Sequence, residues 1–219
     1  MDSIDINVVK SVLDQLAQIM DQDRDRLLEL DQALGDGDLG LTMVKAFTAA
    51  RETAASSTET LPGPLLMRVG MAMAKAAPST MGTLLATGFM RGGKAIKQVE
   101  QITVQELATF FRAFTDGIAE RGKTKPGNKT VVDSLYPATE ALERASACGK
   151  DLSVALAEAV TAAQQGNEAA RMMKSQHGKA AVYQDQTIGL VDPGASVGVL
   201  IIQGFSFAVH TPDADVSPN

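Results

Sequence analysis

Three aspartates, Asp31, Asp36 and Asp38, fall within eight residues of one another in the run Glu-Leu-Asp-Gln-Ala-Leu-Gly-Asp-Gly-Asp-Leu-Gly, with no Lys or Arg among them. Ionised carboxylates held this close repel, and burial alone would push their pKa values up, so the group stays charged only with something positive between its members. A hard divalent cation is the usual answer, and Mg²⁺ in particular takes a few carboxylates together with water and the oxygens of a phosphate. A phosphorylated ligand is then the implied second guest. The same residues also read as a plain turn with Asp38 capping the next helix, since Asp and Gly dominate turns and N-caps. The residues alone leave both readings open. An EF-hand is set aside: Asp21, Asp23 and Asp25 have its opening rhythm, but Arg26 and Gln32 stand where Gly and a bidentate Glu are needed.

Other loops carry polar groups of ambiguous meaning. Lys123, Lys125 and Lys129 could neutralise phosphate or could decorate a solvated loop made by Gly122, Pro126 and Gly127. Ser79 and Thr80 at a helix start could bind phosphate or serve as a cap. Asp192-Pro193-Gly194 is by itself a weak turn signal. His177 and His210 fall in no such pattern, so surface or loop roles are expected and phosphohistidine chemistry is not. Cys148 has no nearby His and no charged neighbour before Lys150, and is not expected to be reactive. Met67, Met71, Met73, Met81 and Met90 recur at helical spacing and read as packing.

These residues need a scaffold, and composition limits its kind. A chain of 219 residues with 45% hydrophobic content can bury a sizeable core, and one domain is expected over residues 1 to 209, with a disordered polar tail over 210 to 219. A net charge of −6 argues against a general nucleic-acid or acidic-membrane surface. No apolar stretch approaches the roughly eighteen residues of a membrane span. One cysteine excludes an internal disulfide framework, the acidic start lacks the basic region of a signal peptide, and a cytoplasmic location is expected. Aromatics are only 4% while Ala and Met are plentiful, which suits closely packed helices, and the predicted class is all-α.

Apolar stripes place the elements. Val8 to Met20 and Leu27 to Leu34 recur at helical spacing, so Asp31 falls in a helix's last turn and the glycines at 35 and 37 permit the chain to reverse there. Further helices are predicted from about 40 to 51, from Pro62, from 82 to 96, from Thr103 with a Thr103/Glu106 capping box, from Thr130 with Asp133, and from 152 to 174. The last apolar segment, Val197 to Ile202, has strand propensity and stays open between strand and helix. In an antiparallel bundle alternate loops share one end, so residues 35 to 42, 78 to 83, 121 to 130 and 178 to 194 can meet.

Taken in order, Asp-x-x-x-Gly-Asp-Gly-Asp-x-Gly, Gly-Thr-Leu-Leu-Ala-Thr, Arg-Gly-Lys-x-x-Pro-Gly-x-Lys-Thr and Ile-Gly-x-x-Asp-Pro-Gly-Ala resemble the nucleotide-binding subunit of dihydroxyacetone kinases over about residues 25 to 205. The resemblance implies eight antiparallel amphipathic helices in a closed barrel or bundle, with ADP or ATP and two Mg²⁺ ions held at one end. It implies Asp31, Asp36 and Asp38 as metal ligands. Leu39, Gly40, Leu41, Thr42, Thr80 and Met81 would contact phosphate and ribose, Gly122 and Val131 would border the adenosine, and Lys179 with Asp192, Pro193 and Gly194 would close the site. The sugar would sit covalently on a histidine of a ketose-binding partner subunit, so no catalytic nucleophile is expected on this chain. A phosphotransferase-system phosphodonor protein is a further implied partner.

Departures gather in these same loops. Leu39 and Leu190 stand where the family commonly has His, Thr42 where it has Asn, Met81 where it has Ser and Asn128 where it has Asp. Two rings lost suggest a drier pocket mouth. The expected activity is phosphoryl transfer to dihydroxyacetone, with ADP retained and rephosphorylated in place. Alternatives are an ATP-exchanging kinase subunit for another small ketose such as erythrulose, a fatty acid kinase domain, and a regulatory protein that reads its nucleotide state.

Overall fold

Asp5 begins the first helix by accepting the amides of Asn7 and Val8, and α1 (Ile6–Gln22) then buries Val9, Val12, Leu13, Leu16 and Met20 along one face. The computed structural model describes residues 2 to 210, and most of the expected tail, 211 to 219, lies outside the described residues. The chain breaks at Asp23 into the short α2 (Arg24–Gln32), turns through the acidic segment, and resumes as α3 (Leu39–Ala55). Pro62, preset for a helical first turn, opens α4 (Pro62–Ala76). Ser79 accepts the Gly82 amide at 3.0 Å to start α5 (Thr80–Ala95). The Thr103/Glu106 capping box starts α6 (Val104–Gly122). Then come α7 (Val132–Ala147), α8 (Leu152–Ala170) capped by Asp151, a 3-10 stretch (Lys179–Thr187) and α9 (Pro193–His210). The fold is all-α, as predicted, and no helix among the described residues is long and apolar enough to cross a membrane.

Packing follows chain order from α3 to α9, α3 rests on α1, and α9 returns to α1, so eight helices close on themselves while α2 leans on α3. Short connections make successive neighbours antiparallel. The corner before α3 and the connections α4 to α5, α6 to α7 and α8 to α9 therefore share one end. Inside the ring six of the seven phenylalanines, Phe47, Phe89, Phe110, Phe111, Phe114 and Phe205, form an edge-to-face cluster. Around them the helices approach closely. A Cβ on Gly63 would lie 2.5 Å from the Ile96 carbonyl oxygen, and one on Gly93 would lie 2.6 Å from that of Gly63, so α4 and α5 touch backbone to backbone.

Boundaries shift by a few residues from those predicted: α3 runs on to Ala55 and α8 stops at Ala170. Residues 197 to 202, open between strand and helix, lie inside α9. Val197, Leu200, Ile201 and Ile202 are all buried, because α9 packs on α1, α7 and α8 and is apolar nearly all round. Tertiary burial overrides the strand propensity of its β-branched residues.

The start of α9 buries a carboxyl group. Asp192 Oδ2 accepts the Ala195 amide at 2.7 Å, and its own carbonyl oxygen accepts the Ser196 amide and hydroxyl. Burial pushes this carboxyl up to about 7; the Ala195 amide resists the rise, nearby Asp133 adds to it, and Lys129 opposes it. The native protein thus keeps a proton that the unfolded chain, with its ordinary value of 3.8, gives up. The stability tied to that proton is full below the unfolded value and is lost as pH rises toward the folded one. An Asp192→Asn variant keeps an acceptor and cannot ionise. Unfolding free energies from denaturant titration should diverge in its favour from about pH 4 to about pH 7, by a few kcal/mol on the order of 1.4 per pKa unit, and level off above. Parallel profiles for the two proteins would refute the buried protonated carboxyl.

Candidate functional site

Between α2 and α3 the backbone makes a tight corner in which the Gly35 amide donates to the Asp31 carbonyl at 2.6 Å and Gly37 takes φ +69°. Glycine is required at 35, since a Cβ there would meet Asp31 Oδ1 at 2.0 Å. Asp31 Oδ2 accepts the amides of Asp38, at 3.0 Å, and Leu39, at 3.2 Å. The cap of α3 is therefore supplied by Asp31 from the preceding helix, whereas Asp38, at the N-cap position, makes no side-chain cap bond. One carboxylate oxygen from each of Asp31, Asp36 and Asp38 lies within 4.8 Å of the others, with Asp36 and Asp38 exposed and Asp31 half-buried. An all-oxygen set with uncommitted lone pairs fits a hard cation such as Mg²⁺.

A positive group from the chain already faces this cluster. Lys179 Nζ lies 2.7 Å from Asp36 Oδ2, across nearly the whole sequence between α3 and α9. Its hydrogen bond holds the Asp36 carboxyl below the usual carboxylate range. In return Asp36, and more weakly Asp38 and Asp31, raise the Lys179 ammonium above its ordinary value. Both side chains are exposed, so solvent screening keeps this tie weak and easily exchanged for another cation.

The corner opens on a cavity of about 490 Å³, within the range of small-molecule sites. Leu39, Thr42, Thr80, Met81 and Lys179 line it together with the three acids. Gly40, Leu41, Gly122, Val131, Asp192, Pro193 and Gly194 are not in its lining. Gly40 packs α3 on α2, where a Cβ would meet the Arg24 carbonyl oxygen at 2.1 Å, and Leu41 is half exposed. Asp192, Gly194 and Val131 form a buried layer behind Met81: a Cβ on Gly194 would lie 3.1 Å from Met81 Cε and 3.2 Å from the Val131 amide nitrogen. Gly122 sits against Leu84 at the end of α6.

Two expectations come out differently. Lys129 is buried, its ammonium turned away from the cavity and bonded to backbone carbonyls of the 171 to 190 segment, while Lys123 and Lys125 remain exposed. Leu39 lines the cavity, but Leu190 lies outside it and is 40% exposed, so the two leucines do not jointly dry one mouth. His177 supplies a ring that was not anticipated. It lines the cavity with Nε2 at 3.3 Å from Asn128 Oδ1, linking the loop after α6 to the segment after α8. The readable signal was its place two residues before Lys179, beside Gly178.

With the geometry in place, similarity to known proteins gives it a family. The model of the DAK2 domain matches residues 33–207. The chain is 30% identical over 196 residues, 90% of its length and 93% of the relative's, to the ADP-binding subunit DhaL of the PEP-dependent dihydroxyacetone kinase of Escherichia coli. It is also 30% identical over 191 residues to a D-erythrulose kinase of Mycolicibacterium smegmatis, covering 86% of this chain and 33% of that enzyme. Among solved structures, the dihydroxyacetone kinase of C. freundii superposes with a TM-score of 0.70 at 21% identity, over 94% of this chain and 35% of that one, and the same enzyme is known in complex with AMP-PNP and Mg²⁺. The chain belongs to the DAK2-domain family.

Proposed function

We propose that the chain is the nucleotide-binding subunit of a multi-component ketose kinase, which holds ADP or ATP with Mg²⁺ and passes the phosphoryl group to a ketose bound on a partner subunit. The observation that carries this reading is the convergence of Asp31, Asp36, Asp38 and Lys179 at a cavity bordered by the start of α5. The names of relatives support it, among them ADP-binding subunits of dihydroxyacetone kinases and a D-erythrulose kinase. The three aspartates would hold the metal, which neutralises charge building on phosphate oxygens during transfer. Around it Ser79, Thr80 and Met81 at the start of α5 line the cavity, where uncapped helical amides and the Thr80 hydroxyl would serve an anion, and Thr42 of α3 would add a second hydroxyl. Lys179 adds a mobile positive charge. Leu39 and Met81 wall the cavity with apolar surface that excludes water from the transferring group.

The acceptor would come from a separate subunit, since the E. coli relative is itself named as one subunit of its kinase and is matched over nearly its full length. Retention of ADP with rephosphorylation by a phosphodonor protein is the first form of this proposal. A second form, ATP exchange with erythrulose as acceptor, is favoured by the D- and L-erythrulose kinases among the relatives; the chain spans about a third of each.

The two forms separate on what the purified protein carries. Denaturing it and identifying the released small molecules should yield ADP and Mg²⁺ in near-stoichiometric amount for the retained cofactor. An empty protein that binds added ATP supports the exchanging form. Loss of Asp36 or Asp38 to Ala should lower nucleotide affinity in Mg²⁺ by about two orders of magnitude with helical circular dichroism unchanged. Unaltered binding would remove the metal assignment. Asp31→Ala should add a fall in stability of about 1 kcal/mol, because the same carboxylate caps α3. Thermal melts of the three variants test that difference directly.

A further inference from the structure

Lys129 lies in the loop between α6 and α7 with a left-handed backbone, φ 58°, and is 4% exposed. Its Nζ donates to four backbone carbonyl oxygens: Arg171 at 3.2 Å, Met173 at 3.2 Å, Thr187 at 2.5 Å and Leu190 at 2.8 Å. An ammonium has three protons, so at least one is shared. Arg171 and Met173 follow the last turn of α8, where C-terminal carbonyls and the negative end of the helix dipole favour a cation. Thr187 ends the 3-10 stretch and Leu190 follows it. One charge therefore joins both feet of the excursion that carries His177, Gly178 and Lys179 to the cavity.

That excursion has little apolar contact to fix it. Val182 is 80% exposed, and Tyr183 and Ile188 are also exposed, so few of its side chains reach the apolar core. Its other ties are polar: the Ser175 amide donates to Thr187 Oγ1 at 3.0 Å, the Gly189 amide to the Arg171 carbonyl at 2.7 Å and the Gln176 amide to the Asn128 carbonyl at 3.1 Å, the Arg171 guanidinium reaches the Gly189 carbonyl, His177 meets Asn128, and exposed ion pairs join Lys174 to Asp185 and Lys179 to Asp36. Holding an ammonium out of water is unfavourable, and burial does lower its ordinary pKa, with Arg171 adding to that and Asp192 opposing it. Among the described residues no carboxylate pairs with it, and a ring of carbonyl dipoles is the ligand set by which proteins also coordinate monovalent cations.

We propose that Lys129 is a tethered monovalent cation that fixes residues 171 to 190 and so sets Lys179 over the aspartate cluster: a positioning residue for the nucleotide site rather than a phosphate ligand. The functional half of this inference rests on the nucleotide reading above; the positioning half does not. Lys129→Ala leaves the carbonyl ring open to a small cation. In the protein without nucleotide, amide exchange across 172 to 190 should quicken about tenfold while α1 and α3 to α7 keep their protection. Affinity for ADP with Mg²⁺ should fall by about tenfold or more. Ethylammonium at tens of millimolar should restore both in part, whereas tetramethylammonium, which has no proton to donate, should not at equal ionic strength. Unchanged exchange in 172 to 190, or equal recovery with both ions, overturns the inference. Lys129→Met, which keeps the apolar stem and removes the charge, serves if the alanine variant does not fold: faster exchange confined to the segment supports the proposal, and wild-type exchange overturns it. A wild-type protein that binds no ADP overturns the nucleotide reading, and the exchange comparison still decides the positioning role.

Discussion

Repulsion among three carboxylates within 4.8 Å organises one end of this molecule, because each neighbouring element contributes something to hold that charge in place. Asp31 spends one oxygen on two amides at the start of α3, so the positive end of that helix stabilises it. Asp36 takes the ammonium of Lys179 from a segment that arrives only after six further helices. Asp38 makes no side-chain cap bond, and its carboxylate is exposed. A divalent cation entering here would displace one weak, solvent-screened ion pair and leave the cap intact.

A corner of this kind needs rigid walls, and they come from close helix contacts. Backbone approaches through Gly63 and Gly93, and a phenylalanine cluster at the centre, leave the helix ends little freedom relative to one another. The buried layer of Val131, Asp192 and Gly194 behind Met81 extends that rigidity to the cavity floor. These residues act on the site through packing rather than through exposed groups.

Much of this was legible in the sequence, and the misreadings have physical causes. Local signals carried over faithfully: the capping box at Thr103, the proline at Pro62 and the stripe on α1 each report a structure within one or two turns of themselves. The aspartates were also legible, since their crowding is visible in eight residues. Tertiary relations were not. Strand propensity at 197 to 202 could not reveal that α9 would be enclosed by three helices, nor could Asp38's place before a helix reveal that Asp31 had already taken the cap. Lys129 misled most, because a lysine between Gly127 and Thr130 looks like a phosphate binder or a solvated charge. Only the return of the chain after α8 surrounds it with carbonyls.

The site consequently joins two regions of unequal firmness. Its acidic half is set by helix ends on a packed core. Its basic half rides on a segment whose large side chains face solvent and whose ties are hydrogen bonds to one buried ammonium and a few loop groups, with exposed ion pairs at Lys174 and Lys179. Local opening is drawn from regions with few buried apolar contacts, so movement at this site belongs to the Lys179 side. On the proposed nucleotide reading, a ligand bridging the two halves would gain affinity according to how well that arm is already placed, because ordering it on binding would cost conformational entropy. A cation fixed inside the protein meets that cost during folding, before any ligand arrives.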